Sequence, residues 1–258
     1  MKAQGLYNPQ NEHDACGVGF VLNMNGNREH GIVEKGVKVL CNLLHRGATG
    51  ADVNTGDGAG LLVQIPDNFF KKSLKMNLPE LGHYGVGMLF LPQNEKKRSD
   101  VMALIEKIAK EENFEVLESR DVPVVASSIG ESARAEMPFI AQIFLQSTKD
   151  LTGESLERAL LVIRKRAEHE SGLDADGADG FYVASLSART IVYKGMMTGP
   201  QVPVFYPDLN DENFESAVAV VHQRYSTNTF PSWPLSQPFR YMAHNGEINT
   251  IRGNRNWM

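Results

Sequence analysis

Two apolar segments that lie close together constrain the fold of this chain more than any other feature of its sequence. Residues 181–186 and residues 190–193 both have the composition of strands, and only residues 187–189 separate them. Parallel strands need a crossover of a dozen or more residues, so strands this close in sequence favour antiparallel pairing. We therefore expect antiparallel sheets and not a series of βαβ units.

Further segments support a mixed architecture in which strands outnumber helices. The predicted helices have apolar residues at helical spacing, and Ser99 is the predicted N-cap of the second; they cover residues 33–44, 99–108 and 156–167. The remaining predicted strands cover residues 18–22, 61–65, 86–91, 139–145, 217–221 and 241–244. No repeat or long linker interrupts the chain, so we expect one α+β domain with helices layered on antiparallel sheets.

Charge and hydropathy exclude several classes of function. The 258 residues carry a net charge of -5 without a long acidic or basic block, so we expect neither a nucleic-acid partner nor a membrane surface. Residues 1–15 lack the apolar core of a secretory signal, and no apolar run is long enough to cross a bilayer. These features predict a cytoplasmic protein with small or neutral partners.

Cysteine and histidine usage limits the metal chemistry of the chain. Cys16 and Cys41 are the only cysteines, without a CxxC motif, so a disulfide framework, a thiolate zinc site and an iron–sulfur cluster within this chain are excluded. The histidines are dispersed, and we expect no metal site. Cys41 belongs to the apolar stripe of the first predicted helix, whereas Cys16 starts a predicted strand. A buried structural role is the default interpretation of either thiol.

The candidate functional residues lie in three polar, glycine-rich segments, at residues 16–20, 45–60 and 222–258. The glycines at residues 56–60 match no phosphate-binding loop and instead indicate close approach of the backbone to another element, which leaves Arg46 and Asp57 as the polar groups of interest in this region. Arg224 is either a surface cation or a bidentate clamp for a carboxylate. Asn245 and Gly246 form either an ordinary turn or a pair of donors to an oxyanion.

Read together, these motifs resemble a known family. The segments CGVGF, HRGATGADVNTGDGAG, HQRYSTNTFPSWPLSQPFR and HNGEINTIRGN, which begin at residues 16, 45, 222 and 244, are similar in order and spacing to the glutamine amidotransferase domain of glutamate synthase. That domain is a class II glutamine amidotransferase of the Ntn-hydrolase superfamily. The resemblance implies a four-layer αββα sandwich of antiparallel sheets.

The resemblance also implies roles for individual residues. Cys16 resembles the nucleophile, which becomes the first residue when a leader is removed, and Arg46 resembles the arginine that supports the nucleophile's end of the chain. Arg224 matches the arginine that holds the glutamine carboxylate, with Thr227 nearby as a second contact. The oxyanion-hole pair of the family matches Asn245 and Gly246.

The expected organisation is a leader at residues 1–15 followed by an amidotransferase domain at residues 16–258. The family's aspartate for the substrate α-amino group lies beyond the HNGEIN motif and has no match, so we expect the domain to be incomplete at its C-terminal side. The expected reaction is hydrolysis of glutamine to glutamate and ammonia, and the ammonia would aminate 2-oxoglutarate in a synthase domain or subunit. FMN and the iron–sulfur cluster are expected on that synthase part and no cofactor on this chain. Two alternatives stay open: another Ntn amide hydrolase, or a non-catalytic regulatory or assembly module.

Overall fold

Eight strands form two antiparallel sheets in the computed structural model, which describes residues 17–50, 52–74, 77–224, 230–244 and 256–258. In the first sheet the strand order is β1, β8, β2, β7, and in the second it is β4, β5, β3, β6. The strands are β1 Val18–Leu22, β2 Ala59–Gln64, β3 Tyr84–Leu91, β4 Phe114–Asp121, β5 Phe139–Ser147, β6 Tyr182–Ser187, β7 Thr190–Gly195 and β8 Val218–Gln223. All pairs within both sheets are antiparallel, as the sequence predicts.

Helices flank both sheets. Helix α1 packs on β8, β1 and β2 of the first sheet, while α3 and α5 pack on the second sheet and on each other. The sheets contact each other through β7, which lies against β3 and β6. The helix bounds are α1 His30–Asn42, α2 Asp67–Ser73, α3 Glu95–Glu111, α4 Glu131–Ala135, α5 Gly153–Glu170 and α6 Val202–Phe205. This order of layers confirms the α+β class and agrees with the αββα arrangement. In the part of the chain that the structure describes, every helix is too short or too polar to span a bilayer.

Apolar periodicity explains the position of α5. Leu156, Leu160, Ile163 and Ala167 recur every three or four residues, so they form one stripe of the helix, and all four are buried in the core cluster that includes Leu145 of β5. Burial of one leucine or isoleucine side chain contributes about 1.5–3 kcal/mol. The stripe is therefore sufficient to fix this helix on the second sheet.

The predicted N-cap of α3 is wrong. The helix starts at Glu95, four residues before Ser99, and Asn94 is its N-cap. The Asn94 side chain accepts a hydrogen bond from the backbone N–H of Lys97 at 3.0 Å, which satisfies one of the unpaired donors of the first turn. Asn94 and Ser99 are both residues that favour caps, and the apolar spacing that begins at Val101 does not reveal the preceding polar turn.

The two segments that predict antiparallel sheets do not pair with each other. Only two residues separate β6 from β7, yet β6 pairs with β3 and β7 pairs with β2, so the chain crosses from one sheet to the other at this corner. The Ser187 hydroxyl oxygen accepts the backbone N–H groups of Arg189 at 2.9 Å and Thr190 at 3.2 Å. The Ser185 hydroxyl oxygen accepts the N–H of Val192 at 3.2 Å. Side chains therefore bind N–H groups that a hairpin would pair with backbone carbonyls.

Two further strand predictions differ from the structure. Strand β4 is missing from the sequence prediction because it is an edge strand whose only buried residue is Phe114, so it lacks a clear apolar pattern. Conversely, residues 241–244 are not a strand. Within the described parts of the chain, their only ladder contact is an isolated bridge between Phe239 and Met242.

The close packing of β3 on α5 gives a test of the fold. A Cβ at Gly85 would lie 2.5 Å from Cδ1 of Leu160, so Gly85→Ala should lower the free energy of unfolding by about 1–3 kcal/mol through overpacking. The matched control is Gly31→Ala in α1, where a Cβ meets no atom within 4 Å, and it should stabilise the protein by up to about 1 kcal/mol. Urea denaturation measures both changes, and equal effects of the two substitutions would contradict this packing.

Candidate active site

The first part of the candidate site is the end of the first sheet where β1 begins and β8 ends. Val18 lies opposite His222 in the β1–β8 ladder. Gln223 is the residue after His222, and its backbone N–H donates to the carbonyl oxygen of Gly17, the residue before Val18, at 2.8 Å. Arg224 follows Gln223 directly and is partly buried, so this arginine leaves the sheet beside the chain segment that precedes β1. Cys16, the predicted nucleophile, lies outside the described residues.

The segment that contains Arg46 approaches the same end of β8. Arg46 ends the 3₁₀ turn Leu44–Arg46 after α1 and is partly buried. A Cβ on the next residue, Gly47, would lie 3.1 Å from Cδ of Gln223, so the two backbones are separated by little more than this side chain. The structure therefore places the neighbours of Arg46, Arg224 and Cys16, which are Gly47, Gln223 and Gly17, at the same end of the first sheet, and the roles of these site residues stay predictions.

Asp57 is a buried carboxylate beside this group. Its exposed fraction is 6%, and no described side chain donates a hydrogen bond to its carboxylate oxygens. Burial raises the pKa of Asp57 from 3.8 to about 6, although backbone N–H groups at Ala48 and at Asp57 itself, and the positive charge of Arg224, oppose this rise. The carboxylate thus changes its charge close to neutral pH.

The raised pKa of Asp57 predicts a specific pH dependence of stability. A carboxyl whose pKa is higher in the folded than in the unfolded state binds more protons when folded, so stability falls as the pH rises from about 4 to about 6. The difference between 3.8 and about 6 corresponds to a loss of up to about 3 kcal/mol. Asp57→Asn should remove this loss, and denaturation curves at pH 4 and pH 7 measure it.

A second aspartate provides a control of opposite sign. Hydrogen bonds, chiefly from the Thr55 hydroxyl, lower the pKa of Asp52, so its contribution to stability is present at neutral pH and disappears as the pH falls. Asp52→Asn should therefore destabilise the protein at pH 7 more than at low pH. Parallel pH profiles for the wild type and Asp57→Asn would contradict the buried state of Asp57.

The second part of the candidate site is the peptide that leads to the HNGEIN motif. The Gln237 side chain accepts the N–H of His244 at 3.1 Å and donates to its carbonyl oxygen at 3.0 Å. The ring nitrogen Nε2 of His222 lies 2.9 Å from the same carbonyl oxygen and must carry the proton in this hydrogen bond. His222 is 1% exposed and Gln237 is 4% exposed, so both side chains are shielded from solvent. Asn245 and Gly246, like Thr227, lie outside the described residues.

Lys194 fixes the segment that carries Gln237. Its ammonium group donates to the carbonyl oxygens of Pro234 and Ser236, both at 2.7 Å, and lies 4.6 Å from the centre of the Phe239 ring. Lys194 is fully buried, and this burial, together with the charge of Arg240, lowers its pKa well below the ordinary value.

Gly60 lets this segment approach β2. A Cβ at Gly60 would lie 2.5 Å from the carbonyl oxygen of Gln237 and 2.6 Å from Cβ of Lys194. Any larger residue would push the segment away from the sheet. This contact confirms that glycines in the region of residues 56–60 permit a close approach of two backbones.

Sequence reasoning does not identify Gln237, His222 or Lys194 as parts of the site. For Lys194 a signal is present, since a lysine within the apolar strand β7 indicates a buried cation. The second cysteine, Cys41, lies in α1 as predicted, but it is only half-buried, and burial raises the pKa of its thiol. Among the described residues, no group of three or more histidine, cysteine, aspartate or glutamate side chains could hold a metal ion.

Comparison with known proteins identifies the family of this chain. The family model of the class-II glutamine amidotransferases matches residues 16–258. The "Glutamate synthase [NADPH] large chain" of Bacillus subtilis (strain 168) is 53% identical over the full length of this chain, and the match covers 17% of the relative's length. The protein of the same name from Azospirillum brasilense is 46% identical, also over 100% of this chain and 17% of the relative.

A third relative has nearly the same identity to this chain as the second. The "Glutamate synthase [NADH]" of Saccharomyces cerevisiae is 45% identical over 99% of this chain and 12% of its own length. The chain thus spans less than a fifth of the length of these relatives. Because the family match covers almost the whole sequence, the chain belongs to the class-II glutamine amidotransferases.

Proposed function

We propose that this chain hydrolyses glutamine to glutamate and ammonia as the amidotransferase part of a glutamate synthase. The observation that carries this proposal is the hydrogen bond between Gly17 and Gln223, because it holds the neighbour of Cys16 beside Arg224. The family match also begins at residue 16, which supports a functional start of the domain at Cys16.

The proposed nucleophile depends on removal of residues 1–15. A thiol with an ordinary pKa of about 8.5 is mostly protonated at neutral pH, and a free α-amino group with a pKa of about 7.7–8.0 is a suitable base for its proton. An amide nitrogen cannot act as this base. Cleavage between Ala15 and Cys16 would therefore create the base and the accessible nucleophile in one step.

The proposed reaction proceeds in two halves. The sulfur of Cys16 bonds to the side-chain carbonyl carbon of glutamine, and the proton taken up by the α-amine passes to the leaving nitrogen, which departs as ammonia. Water then attacks the γ-glutamyl thioester, gives a proton to the amine, and releases glutamate while the thiol re-forms. An oxyanion develops in each half.

The other site residues bind the substrate and the oxyanion in this proposal. Arg224 holds the α-carboxylate of glutamine through a bidentate ion pair, with Thr227 as a second contact. The side-chain amide of Asn245 and the backbone N–H of Gly246 donate to the oxyanion. Arg46 supports the end of the chain that begins with Cys16.

The ammonia would be used by a synthase domain or subunit outside these 258 residues. An iron–sulfur cluster requires about four thiolate ligands, and the sequence contains only Cys16 and Cys41, one of which is the proposed nucleophile. The residues of this chain therefore do not fit such a cluster. We place the cluster, FMN and the amination of 2-oxoglutarate on the synthase part.

Intact mass and active-site labelling test the proposal. A mature chain that starts at Cys16 should react once with a glutamine analogue carrying a diazoketone in place of the carboxamide, and the label should be on Cys16. A retained leader together with an unlabelled thiol would support the non-catalytic module instead. A preference for asparagine over glutamine in the hydrolysis assay would identify another amide hydrolase.

A further inference from the structure

A cavity outside the candidate active site lies between α5 and the corner that joins β6 to β7. It has a volume of about 300 Å³, at the lower end of the range for small-molecule sites. Helix α5 contributes one wall, and Arg240 and Tyr241 contribute another. The aliphatic side chains of Leu161 and Leu186 line the part between them.

Two arginines that line this cavity have incompletely paired guanidinium groups, and in each the unpaired nitrogen is itself shielded from solvent. Arg164 is 7% exposed, its Nη1 has no hydrogen-bond partner among the described residues, and this nitrogen is 3.8 Å from Oε2 of Glu168. Arg240 donates from Nη2 to Oε1 of Glu168 at 3.2 Å and to the carbonyl oxygen of Val183 at 3.0 Å, but its buried Nε has no partner. The single carboxylate of Glu168 thus serves two buried or half-buried cations.

The acidic side chains of the cavity are already engaged. Oε2 of Glu157 accepts the hydroxyl of Tyr241 at 2.5 Å, and its Oε1 accepts the hydroxyl of Ser187 at 2.9 Å and the N–H of Ala188 at 2.8 Å. Glu154, at the entrance, pairs with Arg189 at 2.8 Å.

The walls of the cavity carry an excess of positive charge. Four arginines, including the exposed Arg158, and two glutamates line the cavity, and Glu168 pairs with two of these arginines. Burial of Arg164 and repulsion from Arg240 lower the pKa of Arg164, and the charge of Glu168 opposes this effect without reversing it.

We propose that this cavity is a binding site for a small aliphatic carboxylate, held between the guanidinium groups of Arg164 and Arg240. A buried guanidinium whose nitrogens are incompletely paired is costly, and a carboxylate supplies charge-assisted hydrogen bonds in a geometry that matches arginine. Leu161 and Leu186 would contact the aliphatic part of the ligand. The carboxylate has two sources: a free metabolite, or an aspartate or glutamate side chain from polypeptide outside these 258 residues.

Calorimetric titration with glutarate tests the site. The 258-residue protein should bind glutarate with saturation, whereas the neutral isostere glutaramide should not bind. Arg164→Gln should weaken glutarate binding by about tenfold or more, since a hydrogen bond to a charged group is lost. Arg166→Gln is the matched control, because Arg166 lies on the same helix but pairs with Glu111, Glu112 and Glu170. This control should bind glutarate like the wild type.

A second variant separates binding from folding. Glutarate should raise the melting temperature of the wild type. Arg164→Leu removes the buried charge, so without glutarate its melting temperature should equal or exceed that of the wild type. Addition of glutarate should then cause no further rise in this variant. Equal glutarate affinity of the wild type and Arg164→Gln, or no saturable binding to the wild type, would overturn the proposal. If glutarate also binds to a longer polypeptide that contains this sequence, the site is open there and its ligand is a free anion. If glutarate binds only to the 258-residue chain, a carboxylate side chain of the longer polypeptide occupies the site.

Discussion

Asn245→Ala is expected to lower kcat for glutamine hydrolysis by about 10²- to 10³-fold with little change in KM. The amide of Asn245 would donate to charge that develops only during the reaction, so its loss affects the transition state more than the bound substrate. The described structure explains why this loss should not be compensated. Gln237 and His222 hold both backbone groups of the neighbouring His244, so a shift of this peptide that brought in another donor would have to break these hydrogen bonds.

Steady-state kinetics of the leader-free protein measure this effect. Asn68→Ala is a suitable control, because Asn68 is an exposed asparagine of α2 whose amide contacts only Glu215 among the hydrogen bonds described. The control should retain wild-type kcat. If Asn245→Ala turned glutamine over as fast as the wild type, the oxyanion-hole assignment would be wrong.

Arg224→Met is expected to lower kcat/KM for glutamine by about 10²-fold or more, mainly through KM. Loss of one partner of a desolvated ion pair costs about 2–5 kcal/mol, and methionine keeps much of the volume of the arginine stem. The position of Arg224 supports this role, since it is partly buried and follows the last residue of β8, where the strand lies beside Gly17. In the proposed mechanism the substrate would thus be held by a residue that directly follows a strand of the sheet.

Two comparisons make this expectation specific to carboxylate binding. Arg134→Met, at an exposed position of α4, should leave kcat/KM unchanged. A primary amide substrate without an α-carboxylate should react at similar rates with the wild type and Arg224→Met, because it offers no partner to the guanidinium group. A uniform loss of activity on both substrates would show that Arg224 maintains the structure of the site and does not bind the carboxylate.

Sequence patterns predict those parts of the fold that depend on local periodicity. Helix α5 is predicted because Leu156, Leu160 and Ile163 form a stripe that only a helix explains. Strand β4 is not predicted, since its edge position leaves one buried residue and no alternation. The β6–β7 corner has the short connection of a hairpin, but the pairing is decided by β2 and β3, which are distant in sequence. Partners of this kind cannot be read from the two strands alone.

The candidate site also contains residues that sequence patterns point to and residues that they do not. Arg224 and Arg46 are predicted from motifs of unusual composition; Arg224 follows β8 directly, and the residue after Arg46 lies against Gln223 of that strand. Gln237 and Lys194 are missed because their partners are backbone carbonyl and N–H groups, which every residue possesses. Only the tertiary structure shows that these two side chains bind His244, Pro234 and Ser236.

The β6–β7 corner has a consequence for folding kinetics. The loop-closure entropy of bringing two elements together grows with the length of chain between them, and here only two residues join a strand of one sheet to a strand of the other. Docking of the two sheets at this corner therefore requires almost no diffusive search. We expect the corner to form early and the two sheets to fold as one cooperative unit, although most strand pairs in each sheet join distant parts of the chain.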